Sequence, residues 1–338
     1  MRGAKPLAGS GAQPQHRAIT HDPSPPFIDP ALLDSDLATR ACTLAREAGS
    51  VALLALRHGK PALACGDVSW KANVRSIRKS ILCGLLGIAV NESHIDLGAT
   101  LASLGIDDKE GLSEVERQAT VYDLLTARSG IMHPAGYESA WMKMIKPPRG
   151  LHAPGTRWTY NNWDFNALGT IYERSTGRSI PDAFASLLAE PLGMEDFAPG
   201  DATHVPSDAS IHPAYPIRLS ARDLARYGQL WLQQGEWHGR QIVPAAWVRC
   251  SVSPISHAGQ DGAYGYMWWV CREGVHFPGV LLPPDAYSAR GWGGHVLLVV
   301  PSLDLVAVHR SQTETEPFHT VDKFALGRIL GTLVAAAG

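Results

Sequence analysis

The run SILCGLLGIAV, residues 80–90, most limits what this chain can fold into. Apart from Ser80, Gly84 and Gly87 every residue in it is apolar, so a helix here is buried on nearly all sides. At about 11 residues it is too short to cross a bilayer, which takes roughly 20. Gly84 and Gly87 would let another element approach closely. Directly before the run, Ser76-Ile77-Arg78-Lys79 places a hydroxyl and an amine one helical turn apart on one face. They fall at the N-terminus of a buried helix, in a partly dry place. Desolvation lowers a lysine's pKa and makes the amine a usable base. The free N–H groups and dipole of the helix start favour negative charge near the serine. The same four residues also read as an N-cap serine followed by a solvated lysine.

Hydrophobic residues make up 45% of the 338, enough for a sizeable core in one large or two ordinary domains. The net charge of −2, with no basic block, argues against nucleic acid as the main partner. Five scattered cysteines (Cys42, Cys65, Cys83, Cys250, Cys271) form no C-x-x-C pair and read as buried thiols. Fourteen dispersed histidines show no metal-ligand spacing, so no metal and no cofactor is expected. No G-x-S-x-G elbow occurs, which argues against an α/β-hydrolase. The first residues carry no apolar signal-peptide core, and the expectation is a cytoplasmic chain without membrane contact, acting on a small molecule. Oligomeric state is not readable from the sequence.

Residues 1–32 lack periodicity and read as a loose arm. A helix is expected from about Leu33 to Glu47, then two strands around the turn His58-Gly59-Lys60, then the central helix to about Asn91. From Leu97 to about Leu192 the pattern is helical and loop-like. WDFNALGTIYERSTG reads as a helix stopped at Gly177, and SARDLARYGQLWLQQG as a helix capped by Ser220. The last third turns to strands: YGYMWWVCR, HFPGVLLP, HVLLVVP and DLVAVHRS, closed by a helix from about Thr320 to Ala335. The expected fold is α/β (α+β): an antiparallel sheet flanked by helices and built from both chain ends, 33–95 and 205–338. A helical domain, 96–204, is inserted between the halves, with a site in the cleft.

Two further elements bear on chemistry. Tyr160-Asn161-Asn162 sits in a loop before a helix and is the only Y-x-N of the chain. A phenol near a lysine can shuttle a proton, and the Asn162 amide can bind a carbonyl or steady the lysine. The alternative is a loop tyrosine packed on Trp158 with asparagine as a turn former. Gly291-Trp292-Gly293-Gly294 precedes a strand rather than a helix, which excludes a dinucleotide loop. Glycines entering a strand let a substrate carbonyl approach main-chain N–H groups; a plain β-bulge is the alternative. The N–H groups of Ser76 and Trp292 are the candidate oxyanion hole. Trp163, Tyr264, Tyr266 and Trp292 could line a pocket, and His295 could be structural or functional.

These three elements, in this order, resemble the serine β-lactamase and penicillin-binding-protein superfamily, of which S-x-x-K is a known signature. SIRKS, LLTARSG, PGTRWTYNNWDFNALGTIYE, SARDLARYGQLWL, YGYMWWV and GWGGHVLLVVPSLDLV look most like its class C branch and the group around 6-aminohexanoate-dimer hydrolase, over roughly residues 33–335. The resemblance implies Ser76 as nucleophile, Lys79 as its base, Tyr160 as general base and acid, and Asn162 as a substrate or network contact. β-Lactam-binding relatives carry a cation at the start of the third motif. The matching triplet here is Ala289-Arg290-Gly291, which leaves Arg290, Gly291, Trp292 and Gly293 as substrate-binding candidates. The implied activity is hydrolysis of small esters or amides through an acyl-serine. A true β-lactamase or D,D-peptidase and a non-catalytic binding protein are the alternatives.

Overall fold

The computed structural model describes residues 25–338. Nine strands form one fully antiparallel sheet: β1 Phe27–Ile28, β2 Ser50–Arg57, β3 Lys60–Gly66, β4 Ser256–His257, β5 Ala263–Tyr264, β6 Trp269–Val270, β7 Tyr287–Gly291, β8 His295–Val300 and β9 Leu305–Ser311. Their order across the sheet is β1-β3-β2-β9-β8-β7-β6-β5-β4. The two ends of the chain meet at its centre, where β9 pairs with β2 through Val308↔Leu54 and its neighbours. His58 and Gly59, both with positive φ, make the β2–β3 turn, and Asp304 (φ 47°) closes the β8–β9 turn. Every residue of β8 and β9 is buried, because helices cover both faces.

The five long helices are α1 Ser35–Glu47, α2 Ile77–Asn91, α3 Asn162–Thr176, α4 Ala221–Leu232 and α5 Lys323–Ala337. One face of the sheet packs against α1 and α5, through Ala38, Cys42, Leu298, Leu305 and Leu330. The other packs against α4 and α2, and this core continues into the helical block through Leu101, Leu124, Phe165 and Phe184. Gly228 of α4 meets the Leu297 and Val306 side chains with no room for a Cβ. The two glycines of α2 serve the same purpose: Gly84 faces the Tyr227 hydroxyl and Gly87 the Trp247 indole. Trp247 Nε1 donates to Cys83 O at 2.9 Å, which fixes the ring against the helix.

Four of these helices start with a side-chain cap: Asp34, Asn161, Ser220 and Asp322 each accept from a first-turn N–H. The exception is α2. Ser76 precedes it with helical φ and ψ, and its side chain makes no capping bond.

Three expectations need correction. Within the proposed arm of residues 1–32, residues 1–24 lie outside the described chain, and Phe27 and Ile28 pair with β3. YGYMWWV is not one strand but β5 and β6, separated by a turn in which Gly265 N–H donates to Trp268 O and Met267 has a φ of 57°. Gly265 has no room for a Cβ, because Ser251 O lies against it. HFPGVLLP folds as a hairpin, Val275–Phe277 with Val280–Leu281, turned at Gly279. No helix among the described residues is long and apolar enough to cross a membrane, and none of the five cysteines is in a disulfide.

Gly87→Ala puts a methyl group inside the Trp247 ring. Overpacking of this kind typically costs about 1–3 kcal/mol. Urea denaturation followed by circular dichroism is expected to show that loss, and an unchanged midpoint would mean that α2 is not held this closely.

Candidate active site

The side chain of Ser76, spared from capping, accepts a hydrogen bond from Lys79 Nζ at 2.7 Å. The same Nζ donates to Tyr160 Oη at 2.9 Å. Ser76 is half-buried whereas Lys79 is only 2% exposed, so the hydroxyl opens to the cleft and the amine does not. Nζ lies 4.7 Å from the Tyr160 ring centroid and 5.1 Å from that of Phe165. Burial, aided by the adjacent Arg78 charge, pushes the Lys79 pKa well below its ordinary value. The surroundings thus weaken the hold of this amine on a proton.

Tyr160 is fixed by what surrounds its loop. Thr159 N–H donates to Ala127 O, the Arg128 guanidinium grips Gly155 O and Ser256 Oγ, and Asn161 caps α3 immediately after. The ring packs against Phe165, Trp269 and Tyr264 at 5.2, 5.6 and 5.9 Å between centroids. Desolvation pushes its pKa up to about 12, with the Ser76 hydroxyl and Arg78 pulling the other way. The phenol therefore stays protonated at neutral pH.

The second wall is the turn Gly291–Gly294 between β7 and β8. Gly291 lies against Val74 O and Arg75 Cβ, which brings the turn up to the residues that lead into Ser76. Arg75 has a φ of 55°, a backbone conformation uncommon outside glycine. Asn73 Oδ1 accepts its N–H and Thr313 accepts its guanidinium. Among the described residues, neither Ser76 N–H nor Trp292 N–H donates to a protein acceptor. Both stand outside the helix and strand ladders, as an oxyanion hole requires. The Trp292 ring, 49% exposed, forms the rim with Phe318 edge-on at 5.5 Å.

The turn is held from behind. Gly293 O accepts from Ser311 Oγ at 2.6 Å and from Val321 N at 2.9 Å. Gly294 O lies 2.7 Å from His309 Nδ1, which must carry the ring proton, so Nε2 accepts from Ser50 Oγ. His295 Nδ1 accepts from Arg310 Nε, and Nε2–H donates to Thr313 Oγ1. Both rings are single-proton tautomers. Burial lowers His309 to about 4 and, with the nearby Arg310 charge, holds His295 well below its usual range.

Other sequence candidates are placed differently. Arg290 alternates away from Ala289 and Ser76 to the face of α5, where it binds Asp261, Ser288 Oγ and His276 O. Its guanidinium also lies 4.9 Å from the centroid of the Trp269 ring, so its hydrogen bonds are spent on protein partners. Asn162 donates to Gly136 O and Tyr137 O at 3.2 and 2.6 Å, pinning that loop rather than steadying Lys79. Trp163 is fully buried, with Nε1 on Asp108, and Tyr266 packs on Trp247 and Tyr122. Tyr264 lies beneath Tyr160. His295 is a strut. Sequence reading passed over Trp269, half-buried beside Tyr160, since in YGYMWWV it looks like any strand aromatic.

The family model named Beta-lactamase matches residues 40–330, most of the chain. The chain belongs to the beta-lactamase family. An uncharacterized protein of Alkalihalophilus pseudofirmus is 26% identical over 260 residues, 70% of this chain and 72% of that one. Esterase EstB of Burkholderia gladioli is 26% identical over 150 residues, 44% of this chain and 37% of the esterase. Among solved structures, a Bacillus anthracis protein assigned as a 6-aminohexanoate-dimer hydrolase superposes with a TM-score of 0.66 at 20% identity, over 87% of this chain and 80% of that one. The large antiparallel sheet with helices on both faces is the beta-lactamase fold, and the family and its esterase relative indicate a serine hydrolase.

The neutral histidines behind the turn give this beta-lactamase-family fold a pH dependence. His309 is lowered in the folded state from an ordinary value of 6.5, so the unfolded chain takes up the proton first. Its contribution is complete above pH 6.5 and is lost as the pH falls toward about 4, roughly 3 kcal/mol in all. Urea midpoints measured between pH 7 and pH 5 are expected to fall, and to fall less steeply in His309→Gln. Equal slopes for the two proteins would show that His309 already carries a proton in the fold.

Proposed function

We propose that this chain hydrolyses small esters or amides through an acyl-serine intermediate. The observation that carries the reading is the contact of one buried amine with both the Ser76 hydroxyl and the Tyr160 phenol. In this reading Ser76 Oγ attacks the substrate carbonyl as its proton passes to Lys79. The tetrahedral oxyanion accepts from the N–H groups of Ser76 and Trp292. Lys79 returns the proton through Tyr160 to the departing alcohol or amine. Water then enters, gives up a proton along the same path, and releases the acid from Ser76. No step calls for a cofactor.

Esters and amides are favoured over β-lactams for two reasons. The one cation of the third-motif triplet, Arg290, is already paired with Asp261. The groups lining the approach to Ser76, Trp292, Trp269 and Tyr160, are aromatic and suit an apolar acyl or leaving group.

Initial rates on p-nitrophenyl butyrate and on a chromogenic cephalosporin test this directly. Ser76→Ala is expected to lose ester hydrolysis by about 10³-fold or more. Lys79→Ala and Tyr160→Phe are expected to lose about 10²–10⁴-fold, the usual worth of a positioned proton carrier. Faster turnover of the cephalosporin than of the ester would move the substrate class to β-lactams. A Ser76→Ala protein as active as wild type would end the acyl-serine reading.

A further inference from the structure

Arg78, between the nucleophile and the base in sequence, is 2% exposed, yet no carboxylate pairs with it among the described residues. Its Nη2 donates to the neutral Asn166 Oδ1 at 2.8 Å, and its Nη1 is buried with no partner. The guanidinium lies 4.1 Å from the centroid of the Tyr215 ring, whose π-face is the nearest thing it has to a counter-charge. A buried, unpaired cation destabilises a fold, and an apolar residue of similar volume avoids that cost. A lysine in such a place could shed its proton, but a guanidinium cannot. Water does not screen the group here.

We propose that Arg78 is a positioning residue for the reaction: its fixed, unpaired charge acts through Lys79, keeping that amine unprotonated for its work on Ser76. The inference rests on Lys79 being the base. Positive charge on Arg78 opposes positive charge on Lys79 in a dry interior, where such repulsion is strong. It also favours the negative charge that develops on Ser76 and Tyr160 during proton transfer.

The other groups around Lys79 do not compete in this role. Tyr160 comes from the loop before α3, Tyr215 from the segment after residue 214, Tyr264 from β5, and Asp164 from α3. Burial raises all three phenols, Tyr160 and Tyr215 to about 12, so they stay neutral. Burial also raises Asp164 to about 8, and it holds its proton on the acid side of neutrality. Cys83, one turn along α2, is raised to about 12 and is likewise neutral.

The test is the pH profile of kcat/KM on p-nitrophenyl butyrate. Arg78→Met removes the charge and keeps most of the bulk. Asn166→Asp keeps Arg78 but sets an anion against its Nη2, while Gly136 O retains its bond from Asn162 Nδ2. Both are expected to move the acid limb to higher pH, because Lys79 then protonates more readily. Asn166→Ala removes the same hydrogen bond without adding an anion, and its limb is expected to stay where wild type has it. Should Arg78→Met fail to fold, Asn166→Asp decides alone. Folded variants with the wild-type limb, or an equal shift in Asn166→Ala, would reduce Arg78 to a packing residue. Lys79→Ala separates the two ideas: if it keeps wild-type activity, the base assignment fails. If it is inactive while the limb does not move in Asn166→Asp, the Arg78 inference fails by itself.

Discussion

The desolvation of one amine is the constraint on which the site depends. Lys79 lies in the first turn of α2, and α2 runs through the core between the sheet and the helical block. The helix is apolar on all sides because it is surrounded, and it is surrounded because Gly84 and Gly87 let Tyr227 and Trp247 close over it. An ammonium there would lose its hydration and receive no carboxylate in return. The packing that excludes water from the helix thus also sets the protonation of its first lysine. Fold and chemistry share a single cause at this point.

The turn Gly291–Gly294 beside Ser76 is held from behind by buried polar groups. Ser311 and His309 of β9 bind the carbonyls of Gly293 and Gly294, and Thr313 just beyond β9 holds Arg75 beside Ser76. One strand thereby fixes both walls of the cleft. His309 of β9 and His295 of β8 act as neutral hydrogen-bonding struts behind the turn.

Much of this was legible in the sequence wherever local pattern and burial coincide. The spacing of Ser76 and Lys79 puts them on one helical face in any context, and the apolar runs on either side of Asp304 can only be buried strands. Ser220 and Gly177 mark helix ends by their own chemistry and do so in the structure. What escaped the sequence depends on partners distant in the chain. Arg290 faces α5 because Asp261 and His276 wait there, and strand alternation alone allows either face until the register is known. Asn162 is committed to the 136–137 loop, some 25 residues earlier. The aromatic run 264–270 has ideal strand composition, yet it turns back on itself, Gly265 N–H donating to Trp268 O and Tyr266 N–H to the distant Ser251 O. Arg78 looks like a surface residue in the string SIRKS, and only its neighbours reveal it as buried.

Those neighbours define where protons can move. His295 and His309 are held neutral, Tyr215, Tyr264 and Cys83 keep their protons, and Asp164 keeps its own up to about pH 8. Each of these groups is buried, and burial moves each away from its ordinary value. Burial acts on them all in the same way, by penalising whichever form is charged. Lys79 is affected in the same sense, its proton affinity lowered where those of the acids and phenols are raised. In the proposed reaction a uniformly dry environment quiets the acids and phenols while favouring the amine as base. The selectivity comes from the chemistry of the lysine, and it needs no special contact beyond the two hydrogen bonds that aim Nζ at Ser76 and Tyr160.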